Sequence, residues 1–195
     1  MTSELIERES ISPNIFLSLI NITKKAELGE AIAMQIKKLN IYDLQAISSK
    51  LERDVNELPS PYRENIRPYF YEQYFGRYYK ILELYNNGSI EKIQGDIKDI
   101  ELFRDFCRTA IGYQAYFEKE IETGQYGPFQ GMYYFLVSCF MMFALEEPGH
   151  PVGMPFPGGF YVAKENGTYY CPIREKEKDV EYSICNFCPA KQSPE

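Results

Sequence analysis

Residues 132–145 read MYYFLVSCFMMFAL, and this run decides the fold class. Only Ser138 interrupts its apolar character. A helix that is hydrophobic on nearly every side is one surrounded by other helices, so the run predicts the central helix of a bundle. It is too short to cross a bilayer, which takes about 20 apolar residues.

The segments before it supply the surrounding helices. Ser12-Pro13 predicts an N-cap followed by proline at the first helical position, opening onto Ile15, Phe16, Leu19 and Ile20. Ala31, Met34, Ile36 and Leu39 mark a second helix ended by Asn40. Leu44, Ile47, Leu51 and Val55 mark a third, stopping before Pro59. Ser60-Pro61 repeats the capping signal and begins a long aromatic segment running to Tyr85, with Pro68 predicting a kink and Asn86-Asn87-Gly88 a stop. Within it Tyr71, Phe75, Tyr78 and Leu82 fall in helical phase as a packing face, while Arg63, Arg67, Arg77 and Lys80 give the alternative of stacking bases or holding an anion. Ile100, Phe103, Cys107, Ile111, Gln114 and Phe117 trace a further helix that finishes before Gly124, and Gly127-Pro128 lead into the central one.

After the central run the grammar changes. Residues 148–160, PGHPVGMPFPGGF, hold four prolines and four glycines, which neither a helix nor a central strand tolerates. Phe160-Tyr161-Val162 and Thr168-Tyr169-Tyr170 flank Asn166-Gly167, a type I′ turn signal, and predict a β-hairpin. The mixed charges from Arg174 to Glu181 read as solvated surface. The division is therefore a helical bundle over 1–147, followed by 148–195 as a Pro/Gly-rich segment, a β-hairpin and a cysteine knuckle docked on the bundle.

With 21 Lys+Arg against 28 Asp+Glu, the chain carries a net charge of −7. It has no concentrated basic patch, so nucleic acid is not an expected partner. The opening MTSELIERES is acidic where a signal peptide is basic, which predicts a cytoplasmic protein with reduced thiols and no membrane association.

Three of the five cysteines, Cys171, Cys185 and Cys188, fall near the C-terminal end, and the single histidine, His150, lies just upstream. A C-x₂-C pair suits a metal because a tight turn aims both thiolates at one tetrahedral centre while backbone N–H groups bond the sulfurs. Cys171, at the end of a hairpin strand, supplies a third ligand, and His150 completes a Cys₃His set. Zinc is the first choice, since it prefers tetrahedral sulfur and nitrogen ligands. An iron–sulfur cluster is the alternative, because Cys171-Pro172 and Cys188-Pro189 resemble cluster ligands followed by proline. A reversible Cys185–Cys188 disulfide and plain burial of small side chains are the remaining readings. Cys107 and Cys139, on apolar helical faces, read as core.

His150 also stands four residues after Glu146 and three after Glu147, where a nearby carboxylate would raise its pKa and fit it as a general base. Gly158-Gly159 lacks the spacing of a phosphate loop, and with one histidine no His-Glu-x-x-His zinc motif exists. The residues assign no reaction and no catalytic side chain.

The run His150-Pro-Val-Gly, then Pro155-Phe-Pro-Gly-Gly-Phe, Tyr170-Cys171-Pro172 and Cys185-Asn-Phe-Cys188-Pro189, resembles the archaeal DUF2115 family, mostly uncharacterised proteins of methanogens. The specific motifs cover about the last quarter of the chain. The resemblance implies an archaeal cytoplasmic protein and brings no activity. It points to His150 and the three tail cysteines as the positions that matter.

The reading is a mainly α protein: a helical bundle with a small C-terminal β-hairpin and a Cys-rich metal-binding tail. A hairpin this small cannot bury enough surface alone, so a structural zinc would account for the cysteines, and function would be binding of a protein or small-molecule partner at the junction. The competing class is a zinc enzyme whose fourth metal position is open to water, with Glu146 or Glu147 as base.

Overall fold

A computed structural model describes residues 11–12, 14–120 and 128–194. The first helix, α1 (Ile15–Leu19), is entered through Asn14, two residues beyond the expected Ser12; Pro13 lies outside the described residues. The second, α2 (Lys25–Ile36), buries Leu28, Ile32, Ala33 and Ile36. That four-residue spacing corrects the expected stripe, and Met34 is 52% exposed. Asn40 does not terminate α2 but caps α3 (Ile41–Asn56). Its side chain accepts from the N–H groups of Tyr42 and Asp43, and Asp43 accepts from the N–H of Asn40 at 2.8 Å, a reciprocal capping box. Ile47, Leu51 and Val55 of α3 are buried, as their period requires.

The aromatic segment becomes α4 (Tyr62–Tyr71), a π-helical turn (Glu72–Gly76) and α5 (Arg77–Asn86). Helix continues through Pro68, and the irregularity falls at the π turn instead. An extra residue in a turn rotates everything after it. Of the expected face Tyr78 is buried, but Tyr71, before the turn, and Phe75 and Leu82 are half-buried, and the remaining buried positions are Ile66, Gln73, Arg77 and Ile81. Two polar residues thus occupy core positions.

Helix α6 (Ile100–Glu120) buries Phe103, Phe106, Cys107 and Ala110; its expected stop at Gly124 lies outside the described residues. Helix α7 (Pro128–Cys139) runs into a second π-helical turn (Phe140–Ala144), and every residue from 135 to 144 is buried, the central position its sequence demands. Cys107 and Cys139 have no exposed surface. No helix among the described residues is long and apolar enough to cross a membrane.

The tail forms short strands. β1 (Pro155–Phe156) pairs antiparallel with β2 (Phe160–Tyr161), β3 (Ala163–Glu165) with β4 (Thr168–Cys171), and β5 (Lys191–Gln192) runs parallel to β4. Asn166 and Gly167 both have positive φ, 48° and 79°, as a type I′ turn requires. A two-residue turn makes Glu165 face Thr168, so the hairpin's first strand is 163–165 and not 160–162. The Phe106 ring meets Phe16, Phe135 and Phe143 of the helical body and Phe187 of the tail at 5.3–6.0 Å between centroids. Edge-on contacts of this kind bind the tail into the same apolar core.

Candidate functional site at the junction of bundle and tail

The chain leaves the second π turn through Leu145–Gly149, and two residues from the first π turn and α5 take hold of it there. Arg77, 3% exposed, donates through Nη1 to the Gly149 carbonyl at 2.5 Å and through Nη2 to the Pro148 carbonyl at 2.9 Å. Gln73, 2% exposed, donates to the same Gly149 carbonyl at 3.2 Å and to the Tyr134 hydroxyl at 3.0 Å. The Gly149 N–H in turn donates to Cys188 Sγ at 3.3 Å. That N–H and the Pro148 carbonyl belong to one peptide group, so a guanidinium bonded to the oxygen polarises the N–H that faces the sulfur. Burial lowers the Arg77 pKa, while Tyr134, Glu147, Cys188 and Glu72 act in the opposite sense.

His150 follows directly from this clamped peptide. Its ring meets Phe156 edge-on, 5.6 Å between centroids. Burial first, and the Arg77 cation second, push its pKa down to about 4. This reverses the expected rise, because neither upstream carboxylate serves the imidazole. Glu146 is bonded to Lys25 at 2.5 Å, and both oxygens of Glu147 accept from Lys80 at 2.9 Å. Lys25, in α2, thereby holds the Glu146 carboxyl below its usual range through that hydrogen bond, against an opposing effect of burial.

Cys185 lies in a 3₁₀ turn (Ile184–Phe187) and Cys188 caps it, its N–H donating to the Cys185 carbonyl at 3.2 Å. Ser183 accepts from the Cys185 N–H, and Arg174 donates to the carbonyls of Cys188 and Asn186 at 3.1 and 3.3 Å. Arg174 is therefore a brace for the cysteine turn as well as part of a charged surface run. Cys171, Cys185 and Cys188 are all buried and form no disulfide. Burial pushes the Cys185 thiol up to about 12 and raises that of Cys171, and in both cases the neighbouring Cys188 adds to the rise. The three thiols share one neighbourhood. Among the described residues, however, no group of three or more His, Cys, Asp or Glu side chains is arranged to hold a metal ion.

Two cavities flank this centre, and His150 lines both. One, about 540 Å³, lies between α6, α7 and the tail and includes Tyr134 and Cys185. The other, about 380 Å³, includes Arg77, Lys80, Glu147 and Lys164.

Residues 24–193 match the model of an archaeal family described as an uncharacterised protein conserved in archaea, DUF2115. The chain belongs to this family. It is similar to a UPF0305 protein of Methanocaldococcus jannaschii, 27% identical over 175 residues, which cover 88% of this chain and 98% of the relative. It is also similar to a UPF0305 protein of Methanothermobacter thermautotrophicus, 28% identical with 85% and 94% covered, and to one of Methanococcus maripaludis, 30% identical with 78% and 87% covered. No solved structure matches the chain significantly.

Within this DUF2115 chain, sequence reasoning located His150 and the thiol neighbourhood but missed Gln73 and Tyr134 and gave Arg77 no partner. A signal for the clamp was present. Gln73 and Arg77 are four apart and Arg77 precedes Ile81 by four, so two polar residues continue a helical stripe into the core.

Proposed function

We propose that this protein is a binding module that takes a small molecule into the junction between its helical body and its tail. The observation that carries this reading is the 540 Å³ cavity, where side chains of α6, α7 and the tail converge. Its size and its mix of apolar wall and a few polar groups are those of ligand sites. Screening small fragments by protein NMR tests it. Binding shifts resonances of Tyr113, Tyr134 and Ser183; a chemically diverse set that leaves all three unmoved overturns the reading.

A second role is favoured by the polarised peptide at Cys188. We infer that Cys171, Cys185, Cys188 and His150 bind zinc, which ties the tail to the body. The sulfur of a metal-bound thiolate carries negative charge, and Cys188 Sγ already receives an N–H backed by a buried cation. A centre of three thiolates, one imidazole and Zn²⁺ carries one net negative charge, which Arg77 would balance. Loading requires the four side chains to turn toward a common point. Metal analysis of anaerobically purified, untagged protein tests it, with one zinc per chain expected. Absence of stoichiometric metal, with five free thiols counted, rules it out, and visible absorbance with iron would replace zinc by a cluster.

A further inference from the structure

The walls of the larger cavity are aromatic and acidic. Tyr113 and Tyr116 extend from α6, and Tyr182 stands against both, edge-on to Tyr113 at 5.8 Å and tilted to Tyr116 at 6.0 Å between centroids. Tyr116 is 47% exposed, so part of its surface is open at the cavity rim. Tyr182 adopts the left-handed region, φ 61°, a conformation that side chains other than those of Gly, Asn and Asp rarely take. Its ring is seated over Gly112, where a Cβ would lie 3.4 Å from the ring edge. The backbone is thus held in an unfavourable conformation that keeps this ring beside the α6 tyrosines.

Glu177 and Glu181 line the same cavity, and no lysine or arginine does so among the described residues. The Glu181 carboxylate beside Tyr182 raises the pKa of its hydroxyl, so one negative charge stands next to the aromatic wall. Two carboxylates beside tyrosine faces repel anions and leave a neutral guest without a partner for their charge. A cation is attracted both by the carboxylates and by the negative faces of the rings. A hard cation such as Ca²⁺ or Mg²⁺ does not suit the tyrosine and glutamate side of this space, because tyrosine faces give it no ligating oxygen cage; His150 and Cys185, which also line the cavity, are the imidazole and thiol ligands assigned above to zinc.

We propose that this cavity binds a small organic ammonium ion, its charged nitrogen against Tyr113, Tyr116 and Tyr182 with Glu177 and Glu181 balancing the charge. The proposal rests on the junction being a ligand site and names the ligand class.

Titration of the full-length protein with tetramethylammonium chloride, tert-butyl alcohol and sodium acetate at constant ionic strength, followed by NMR, tests it. Tetramethylammonium should give saturable shifts at the three tyrosines, with at least tenfold tighter binding than the uncharged alcohol and no response to acetate. The double variant E177Q/E181Q, on exposed and half-buried tail positions, should weaken tetramethylammonium binding about tenfold or more with unchanged far-UV circular dichroism. Equal binding of the alcohol, or tetramethylammonium binding that survives the double variant, overturns the cation assignment and leaves the junction site standing. If none of the three probes shifts the tyrosines while other fragments do, the assignment fails alone. If the wider fragment set also fails, both readings fall.

Discussion

Arg77 and Cys188 sit at opposite ends of one peptide group: the guanidinium donates to the Pro148 carbonyl, and the Gly149 N–H of the same peptide donates to the sulfur. The arrangement joins three distant parts of the chain, since α5, the Pro/Gly segment and the cysteine turn meet there. It also explains why a cation is tolerated in the core. The guanidinium satisfies two carbonyls that the irregular backbone leaves without helical or sheet partners.

Arg77→Met should destabilise the protein by about 2 kcal/mol, because the Pro148 carbonyl loses its charged donor while remaining buried. Arg77→Lys should recover little, since an ammonium on a flexible stem does not reproduce a planar fork reaching two carbonyls. Urea denaturation of the two variants checks this. Unchanged midpoints would show that the clamp contributes nothing to stability.

The ion pair between Lys25 and Glu146 links α2 to the segment that leads from the second π turn into the tail. Glu146 has a lowered pKa in the folded protein, so its contribution is present above the unfolded carboxylate value, about 4.3, and is lost as pH falls through the lower folded value. Glu146→Gln should therefore reduce stability at pH 7 and make the acid limb of the stability curve shallower. With Glu146 40% exposed at its side chain, the effect is expected within about 1 kcal/mol. Thermal melts from pH 7 to pH 3 measure it, and parallel curves for the two proteins would be the contrary result.

Cys107 and Cys139 belong to the core and the other three cysteines to the tail. Burial drives the Cys107 thiol up to about 12 and that of Cys139 upward as well. Cys→Ala at either position should cost on the order of 1 kcal/mol from lost packing and leave any bound metal in place. Under native conditions an alkylating reagent should label the tail cysteines before these two. Equal labelling rates would mean that helical body and tail open as one unit.

The helical body was legible because burial in it follows a simple period. Ile47, Leu51 and Val55 are buried as spaced, and the run from 135 to 144 is enclosed on every side. The aromatic segment was read less well, since the π turn at Glu72–Gly76 rotates α5 and moves Arg77 inward in place of a uniform apolar face. A stripe drawn through apolar residues alone passes over the i, i+4 line of Gln73, Arg77 and Ile81, which is the face that turns inward. In the tail, Asn166-Gly167 fixed the turn, but the strand before it began later than its aromatic residues suggested. Residue types gathered at one end of the sequence identified the thiol neighbourhood. Its distant partners in α5 and α7 were set by tertiary packing, which pattern alone does not encode.

His150 separates a closed metal site from an open one. With His150 as the fourth ligand, zinc has no position free for water, and three thiolates already offset its charge and weaken it as a Lewis acid. Glu146 and Glu147, the bases an open site would need, are held by Lys25 and Lys80. The closed site is therefore the expected one. His150→Ala should lower zinc affinity by a hundredfold or more, a drop beyond the 10–100-fold typical of losing only an outer partner. His150→Cys should restore much of it as a four-thiolate site. Competition against a chromophoric chelator measures both variants. Full zinc affinity in His150→Ala would place the imidazole outside the coordination sphere and revive the open site, in which Cys171, Cys185 and Cys188 hold the metal and water completes it.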